Sequence, residues 1–295
     1  MADSVHKAVV QESFTRQAEV YAVTPTVMDP VRIERLVEAV DPAPESRLLE
    51  VACGPGLLAL AFARRCREVI GIDLTDAPLA IAERNRRERG LSNLRFQRGD
   101  ADRLPFADGD FDVVVCRFAF HHFEQPAPML AEMARVCRPL GKVAVEDLVS
   151  SEHRARADYQ NRFERLRDPS HTRALAPTEL IGLFTAARLE LLQLYSGALV
   201  QNLERWLANC QTPPETAAEV RAMIERDGRE DLSGTCPYLE DGQWFFRQPT
   251  LAVVARKMGR YLSSEHIEDG LSAPYAAVPF TSTPAHFSSS VSVAA

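Results

Sequence analysis

The chain has 295 residues, 46% of them hydrophobic and 25% charged, with a formal net charge of −7. That is ample chain to bury a core, and its acidic balance argues against nucleic acid as a substrate, since such binders present a basic face. No apolar run reaches the roughly 18 residues of a membrane span and the opening MADSVHKAVVQESF lacks a signal-peptide apolar block, so the expected location is the cytoplasm. Six cysteines, none in a CxxC pair, read as reduced thiols, with Cys53 and Cys116 expected inside buried strands.

In chain order, residues 4–22 read as an amphipathic helix on which Val9, Val10, Phe14 and Tyr21 recur at helical spacing. Pro25 and Pro30 break the chain before a helix over 31–40. The apolar run Leu48, Leu49, Glu50, Val51, Ala52 then enters Cys53-Gly54-Pro55-Gly56, and a helix follows from Leu57. A strand, a tight glycine turn and a helix N-terminus aim backbone N–H groups at an anion or polar ligand, and side chains on Gly54 or Gly56 would obstruct it or demand a backbone that glycine adopts cheaply. A second apolar run, 68–72, ends in Asp73, about the 20 residues past the first strand at which a nucleotide fold sets its ribose-binding acid.

Asp76 and Pro78 open a helix that Gly90 closes. A third run, 94–97, leads into Gly99-Asp100-Ala101, and a fourth, 111–116, into Arg117-Phe118. Pro126 opens a helix to Arg138, and Pro139-Leu140-Gly141 turns into a fifth strand, 142–147. Strands alternating with helices at this interval imply a parallel, doubly wound α/β sheet, whose strand ends form the ligand-binding edge.

Beyond this, 151–187 is Arg-rich and helical, runs at 189–195 and 250–256 look like the last two strands, and 202–227 is a helical stretch containing Trp206. Residues 234–246 read as an aromatic loop, and the Ser/Ala/Thr/Pro tail over 260–295 as disordered. The expected organisation is an N-terminal helical segment over 1–30, a core over 31–150, the remainder of the sheet with its insertion over 151–259, and the tail.

The stretches LLEVACGPG (48–56), GIDLT (71–75), GDADRLPFADGDFDVVVCRFAFHHF (99–123) and EMARVCRPLGK (132–142) are similar in order and spacing to the class I S-adenosylmethionine-dependent methyltransferases. The resemblance is to the small-molecule branch that includes the ubiquinone and menaquinone C-methyltransferases. It implies a mostly parallel seven-stranded sheet with an antiparallel final strand, an N-terminal helical lid and a helical insertion before the last strand. The one departure is Leu140, where the family usually has a second glycine.

The resemblance further implies that Glu50 attracts the cofactor's ammonium and that amides around Gly54 and Gly56 suit its carboxylate. Asp73 then accepts from the ribose hydroxyls with Leu74 beside it, Asp100 accepts from the adenine amino group, the Ala101 N–H donates to a ring nitrogen, and the backbone at Arg117 lies by the methionine part. No metal is required. For an oxygen or carbon acceptor on a small molecule, His122, ahead of His121, is the expected base or orienting group, with Tyr21 of the lid as a further contact. A nicotinamide oxidoreductase would also accept Gly54-x-Gly56-x-x-Ala59, but the acid in the first strand, the GDA after the third and the antiparallel ending argue against it. A binding module or cyclase-like enzyme that keeps the cofactor without methyl transfer is the remaining alternative.

Overall fold

The computed structural model describes residues 2–259, and the reading of 260–295 as disordered lies outside them. Helix α1 (Ala2–Ala22) is followed by the single turn α2 (Pro25–Met28) and by α3 (Pro30–Val40), whose start is set by Pro30 and by the Asp29 carboxylate accepting from Val31 N–H and Arg32 N–H. Strand β1 (Arg47–Val51) leads through the glycine turn into α4 (Leu57–Phe62). Then come β2 (Glu68–Asp73), α5 (Asp76–Glu88), β3 (Leu94–Arg98) and β4 (Phe111–Arg117). A single 3₁₀ turn over Phe120–His122 precedes α6 (Pro126–Val136) and β5 (Cys137–Leu148).

The distal half comprises α7 (Arg154–Arg167), α8 (Pro177–Ala186), β6 (Leu189–Asn202), α9 (Leu203–Asn209), α10 (Pro214–Glu230), β7 (Tyr238–Glu240) and β8 (Gln243–Lys257). The strands form one sheet in the order β3-β2-β1-β4-β5-β8-β6, with β7 pairing β8 off that path. All pairs from β3 to β5 are parallel; β8 is antiparallel to both β5 and β6. The seven-stranded, mostly parallel sheet with an antiparallel final strand is therefore present, with one short strand added.

Alternation along the central strands explains the two helical layers. Leu49, Val51, Ile70, Ile72 and Val114 pack against Met129, Met133 and Phe184 on one face. On the other, Leu48, Val69, Val113 and Val115 meet Leu36, Val37 and Phe62. A third core joins Phe163, Trp206, Val220, Ile224 and Phe246 from the distal helices and β8.

Three local readings are corrected. The last strands are longer than the runs 189–195 and 250–256, because their pairing continues from Gly197↔Thr250 to Asn202↔Phe245. That extension takes in part of the expected aromatic loop: Phe246 points inward, its ring centroid 4.8 Å from that of Trp206. Cys53 is buried but lies past the end of β1, in the turn, whereas Cys116 is within β4. Helix α6 stops at Val136 and β5 begins directly at Cys137, with Leu140 near its start in the left-handed conformation at φ 64°, a position where glycine would be cheaper.

Candidate active site

The strand order reverses at β1, which has β2 on one side and β4 on the other, so the loops leaving β1 and β4 diverge and open a crevice. A cavity of about 660 Å³ occupies it. Its wall contains Glu50, Gly54, Asp73, Leu74, Asp100 and Ala101 from the strand ends, Arg117 at the end of β4 and His122 after it, and Tyr21 from α1. The distribution of these residues over nearly the whole first half of the sequence is undone by the parallel register: Val51 stands beside Ile72 and Cys116. Gly56 and His121 do not reach this wall.

Both turn glycines have positive φ, 50° at Gly54 and 74° at Gly56, for different reasons. A Cβ on Gly54 would find only Tyr21 Cε1, 4.0 Å away, so this stretch faces open cavity. A Cβ on Gly56 would lie 2.5 Å from a Phe96 ring carbon and 3.0 Å from Ala82 Cβ, which makes Gly56 a packing glycine between the turn and β3. The turn amides differ from the expected arrangement as well. Gly54 N–H donates to Asp73 Oδ2 (2.8 Å) and Gly56 N–H to the Cys53 carbonyl (2.9 Å), so neither is left over for a ligand.

The cavity's unspent polar capacity lies instead in side chains. Glu50 is buried with one oxygen accepting from Ala59 N–H (2.7 Å) at the start of α4. Burial pushes its carboxyl up to about 8, against the pull of that hydrogen bond and of Arg117. Asp73 accepts from Gly54 N–H and, at 2.9 Å, from Thr75 N–H, and burial raises its pKa despite them. Arg117 donates from Nε to Glu146 (3.1 Å) and from Nη1 to the Val27 carbonyl (3.0 Å), while its buried Nη2 has no partner among the described residues. Two carboxyls that disfavour ionisation and an orphaned guanidinium nitrogen around one cavity are suited to a ligand that brings both a cation and an anion.

Helix α1 closes the opposite side. Lys7 donates to Asp100 (2.8 Å) and pairs with Asp102, and these acids hold its pKa above the ordinary lysine value although desolvation opposes them. Gln11 Nε2 donates to the Leu74 carbonyl (3.0 Å), and His6 Nε2 to the His122 carbonyl (2.8 Å). Tyr21 meets Phe14 edge-on, and desolvation pushes its phenol up to about 12, so it remains a hydroxyl at neutral pH.

The two adjacent histidines are in opposite electrostatic states. His121 Nδ1 lies 2.5 Å from Asp147 Oδ1; burial alone would lower its pKa, but Asp147 raises it and favours the imidazolium. His122 is pushed down to about 4 by burial first and by neighbouring His121 second, so it is neutral at pH 7. Its Nδ1 is 2.9 Å from the Ser170 carbonyl, which can only accept; Nδ1 therefore carries the proton and Nε2 keeps the lone pair. Phe14 packs edge-on to the His122 ring, 4.9 Å between centroids. A recess of about 70 Å³ shares Phe14, Tyr21, Phe118 and His122 with the main cavity and is walled further by His121, Arg167 and Trp206.

Sequence reasoning missed Lys7, Asp147, Asp168 and Ser170. Asp147 at a strand end was the one with a readable signal; the others lie in a helix or loop with no motif. It also missed two non-glycine residues in the left-handed region at the crevice, Ala52 (φ 54°) and Phe118 (φ 54°), each directly after a central strand. Such strain is concentrated at sites where the surrounding structure dictates the backbone.

A doubly wound sheet with an antiparallel last strand and an acid-lined crevice at its switch point defines the methyltransferase variant of the nucleotide-binding fold. The family model described as methyltransferase domain matches residues 49–145. The chain is 30% identical over 231 residues to the uncharacterized methyltransferase YcgJ of Bacillus subtilis, covering 78% of this chain and 91% of that protein. It is 42% identical over 109 residues to the demethylmenaquinone methyltransferase of Thermus thermophilus, a match spanning 36% of this chain and 49% of the relative. The crystal structure of YcgJ superposes with a TM-score of 0.73 at 28% identity, over 77% of this chain and 97% of that one. The chain belongs to the S-adenosylmethionine-dependent methyltransferases.

Proposed function

We propose that this chain binds S-adenosylmethionine in the crevice and transfers its methyl group to an oxygen or carbon nucleophile of a small phenol- or quinol-like acceptor. The observation that carries the reading is the wall that combines buried Glu50 and half-buried Asp73 with the Nη2 of Arg117, unpartnered among the described residues. Glu50 would hold the ammonium, Arg117 the carboxylate and Asp73 the ribose hydroxyls, with Leu74 beside them. Asp100 and the Ala101 N–H would meet the adenine, Asp100 already being tied to Lys7 of the lid. When bound, the cofactor supplies a methyl group activated by its sulfonium.

The protein's own part is alignment, exclusion of water and handling of the acceptor's proton. Helix α1 would act as the lid, held by the Lys7 pairs and the Gln11 and His6 hydrogen bonds. His122 Nε2 would take or orient the acceptor's proton, with Tyr21 donating its hydroxyl nearby, while His121, paired to Asp147, would stay protonated as a support. A phenol or quinol suits the aromatic wall of Phe14, Phe118 and Trp206 around the smaller recess, and the similarity to a demethylmenaquinone methyltransferase points to the same acceptor class.

Calorimetry with S-adenosylmethionine, S-adenosylhomocysteine and NAD tests the cofactor: the adenosyl ligands should bind, and NAD binding with no response to either of them would overturn the reading. Incubation with methyl-labelled cofactor and a panel of phenols, quinols and amines, followed by mass analysis, should find label on oxygen or carbon. Asp73→Ala should weaken adenosyl-ligand binding by roughly 1–3 kcal/mol through loss of a charged acceptor. Unchanged affinity in a folded variant would confine Asp73 to organising the turn through Gly54 and Thr75.

A further inference from the structure

Behind His122 stands a carboxylate that the reading above does not use. Asp168 follows α7 directly and is only 4% exposed. Its Oδ1 accepts from the Ser170 hydroxyl (2.6 Å), from Ser170 N–H (3.0 Å) and from the Ser13 hydroxyl of α1 (2.9 Å). Its Oδ2 takes weaker donors, Gln17 Nε2 of α1 at 3.4 Å and the Cys210 thiol at 3.5 Å. Burying a carboxylate this deeply is costly, and four donors, with the Cys210 thiol shared with Gln17 Oε1, offset that cost and keep it charged.

Its link to His122 runs through Ser170. A hydroxyl has a single proton, and the short bond to Asp168 takes it, so the Ser170 oxygen presents only lone pairs to His122 Nδ1, 3.1 Å away. The Ser170 carbonyl, 2.9 Å from the same nitrogen, is also an acceptor. Both contacts demand a proton on Nδ1, which leaves Nε2 as the basic nitrogen. The same carboxylate is bound by Ser13 and Gln17, and α1 further touches His122 through Phe14 and His6, so the imidazole and the helix share one set of supports.

We propose that Asp168 is a positioning residue: through Ser170 it holds His122 as the Nδ1–H tautomer with Nε2 free, and it ties that state to the seating of α1. This rests on His122 acting on the acceptor as proposed above. In Asp168→Ala the Ser170 hydroxyl and N–H both lose their acceptor, so the hydroxyl proton can turn toward His122 Nδ1 and the turn that aims the Ser170 carbonyl at that nitrogen is released, which admits the other tautomer.

The test uses the full chain saturated with S-adenosylhomocysteine, with imidazole nitrogens followed by ¹⁵N NMR. Wild type should show a single Nδ1–H pattern for His122. Asp168→Ala should lose it, with affinity for S-adenosylhomocysteine within about threefold of wild type and methyl transfer to the phenol panel about 10–100-fold slower. Asp168→Asn, a smaller change that serves if Asp168→Ala does not fold, leaves the Ser170 hydroxyl and N–H only a neutral, weaker acceptor and should move the spectrum part of the same way. An unaltered Nδ1–H pattern in the folded variants overturns the relay whatever happens to activity. A lost pattern with unchanged transfer upholds the relay and overturns the role of His122 in the reaction, so the two failures are told apart.

Discussion

His122→Ala is expected to lower turnover by about 10²–10⁴-fold while leaving affinity for S-adenosylhomocysteine nearly unchanged. The split follows from where the residue sits. Its neutral ring lies in the cavity wall after β4, bonded through Nδ1 to Ser170 and packed on Phe14, and its pKa of about 4 keeps Nε2 unprotonated across the physiological range. Its ring nitrogen bonds to Ser170 rather than to the acids proposed for the cofactor, so its loss falls on the acceptor's proton. If it acts as a base, the loss should shrink for acceptors already ionised at the assay pH. If it only orients the acceptor, the defect should be smaller and appear mainly in KM. A variant with wild-type kinetics on the identified acceptor would eliminate both roles.

Glu50 governs the second large effect. With a carboxyl pushed up to about 8 by burial, the ligand-free protein holds Glu50 protonated at pH 6–7, and an ammonium bound against it would drive the proton off. Binding of S-adenosylhomocysteine should therefore release a proton and tighten with rising pH below 8, with a slope approaching tenfold per pH unit. Calorimetry in buffers of different ionisation enthalpy reads the released proton directly. Glu50→Gln keeps an oxygen for Ala59 N–H but no ionisable proton; it should abolish the slope and weaken binding at pH 8. In the absence of ligand the effect on stability has the opposite sign. A folded-state pKa above the ordinary value near 4.5 means that stability falls as pH rises from about 4.5 to about 8, so Glu50→Gln should melt higher than wild type at pH 8. A pH-independent affinity in the wild type would show that Glu50 does not meet the ammonium.

The strand ends were legible because each writes its local physics into a few adjacent residues. An apolar run must become a buried strand, Gly54 and Gly56 must carry the positive φ that they have, and Pro30, Pro126 and Pro177 each mark a helix start. The same local reading placed acids at Glu50, Asp73 and Asp100 on one edge, and the parallel register made them neighbours. It failed where partners are remote in sequence. That the turn amides are satisfied by Asp73 and Cys53 rather than left for a ligand depends on how β1 and β2 are stacked, a relation that no spacing encodes.

The histidine pair shows the division most sharply. The sequence by itself determined that a parallel sheet with a glycine turn, an acid at each of the first strand ends and two histidines after β4 would converge on one crevice, because periodicity and turn chemistry are short-range. Only the tertiary structure decided that His121 faces Asp147, which drives it toward the imidazolium, and that His122 is buried beside it, which keeps His122 neutral with its Nδ1 on Ser170. Hydrogen bonds and desolvation act across space, at separations of 26 and 48 residues here, and a side chain's protonation follows the surroundings that folding gives it as well as the neighbour beside it in the chain.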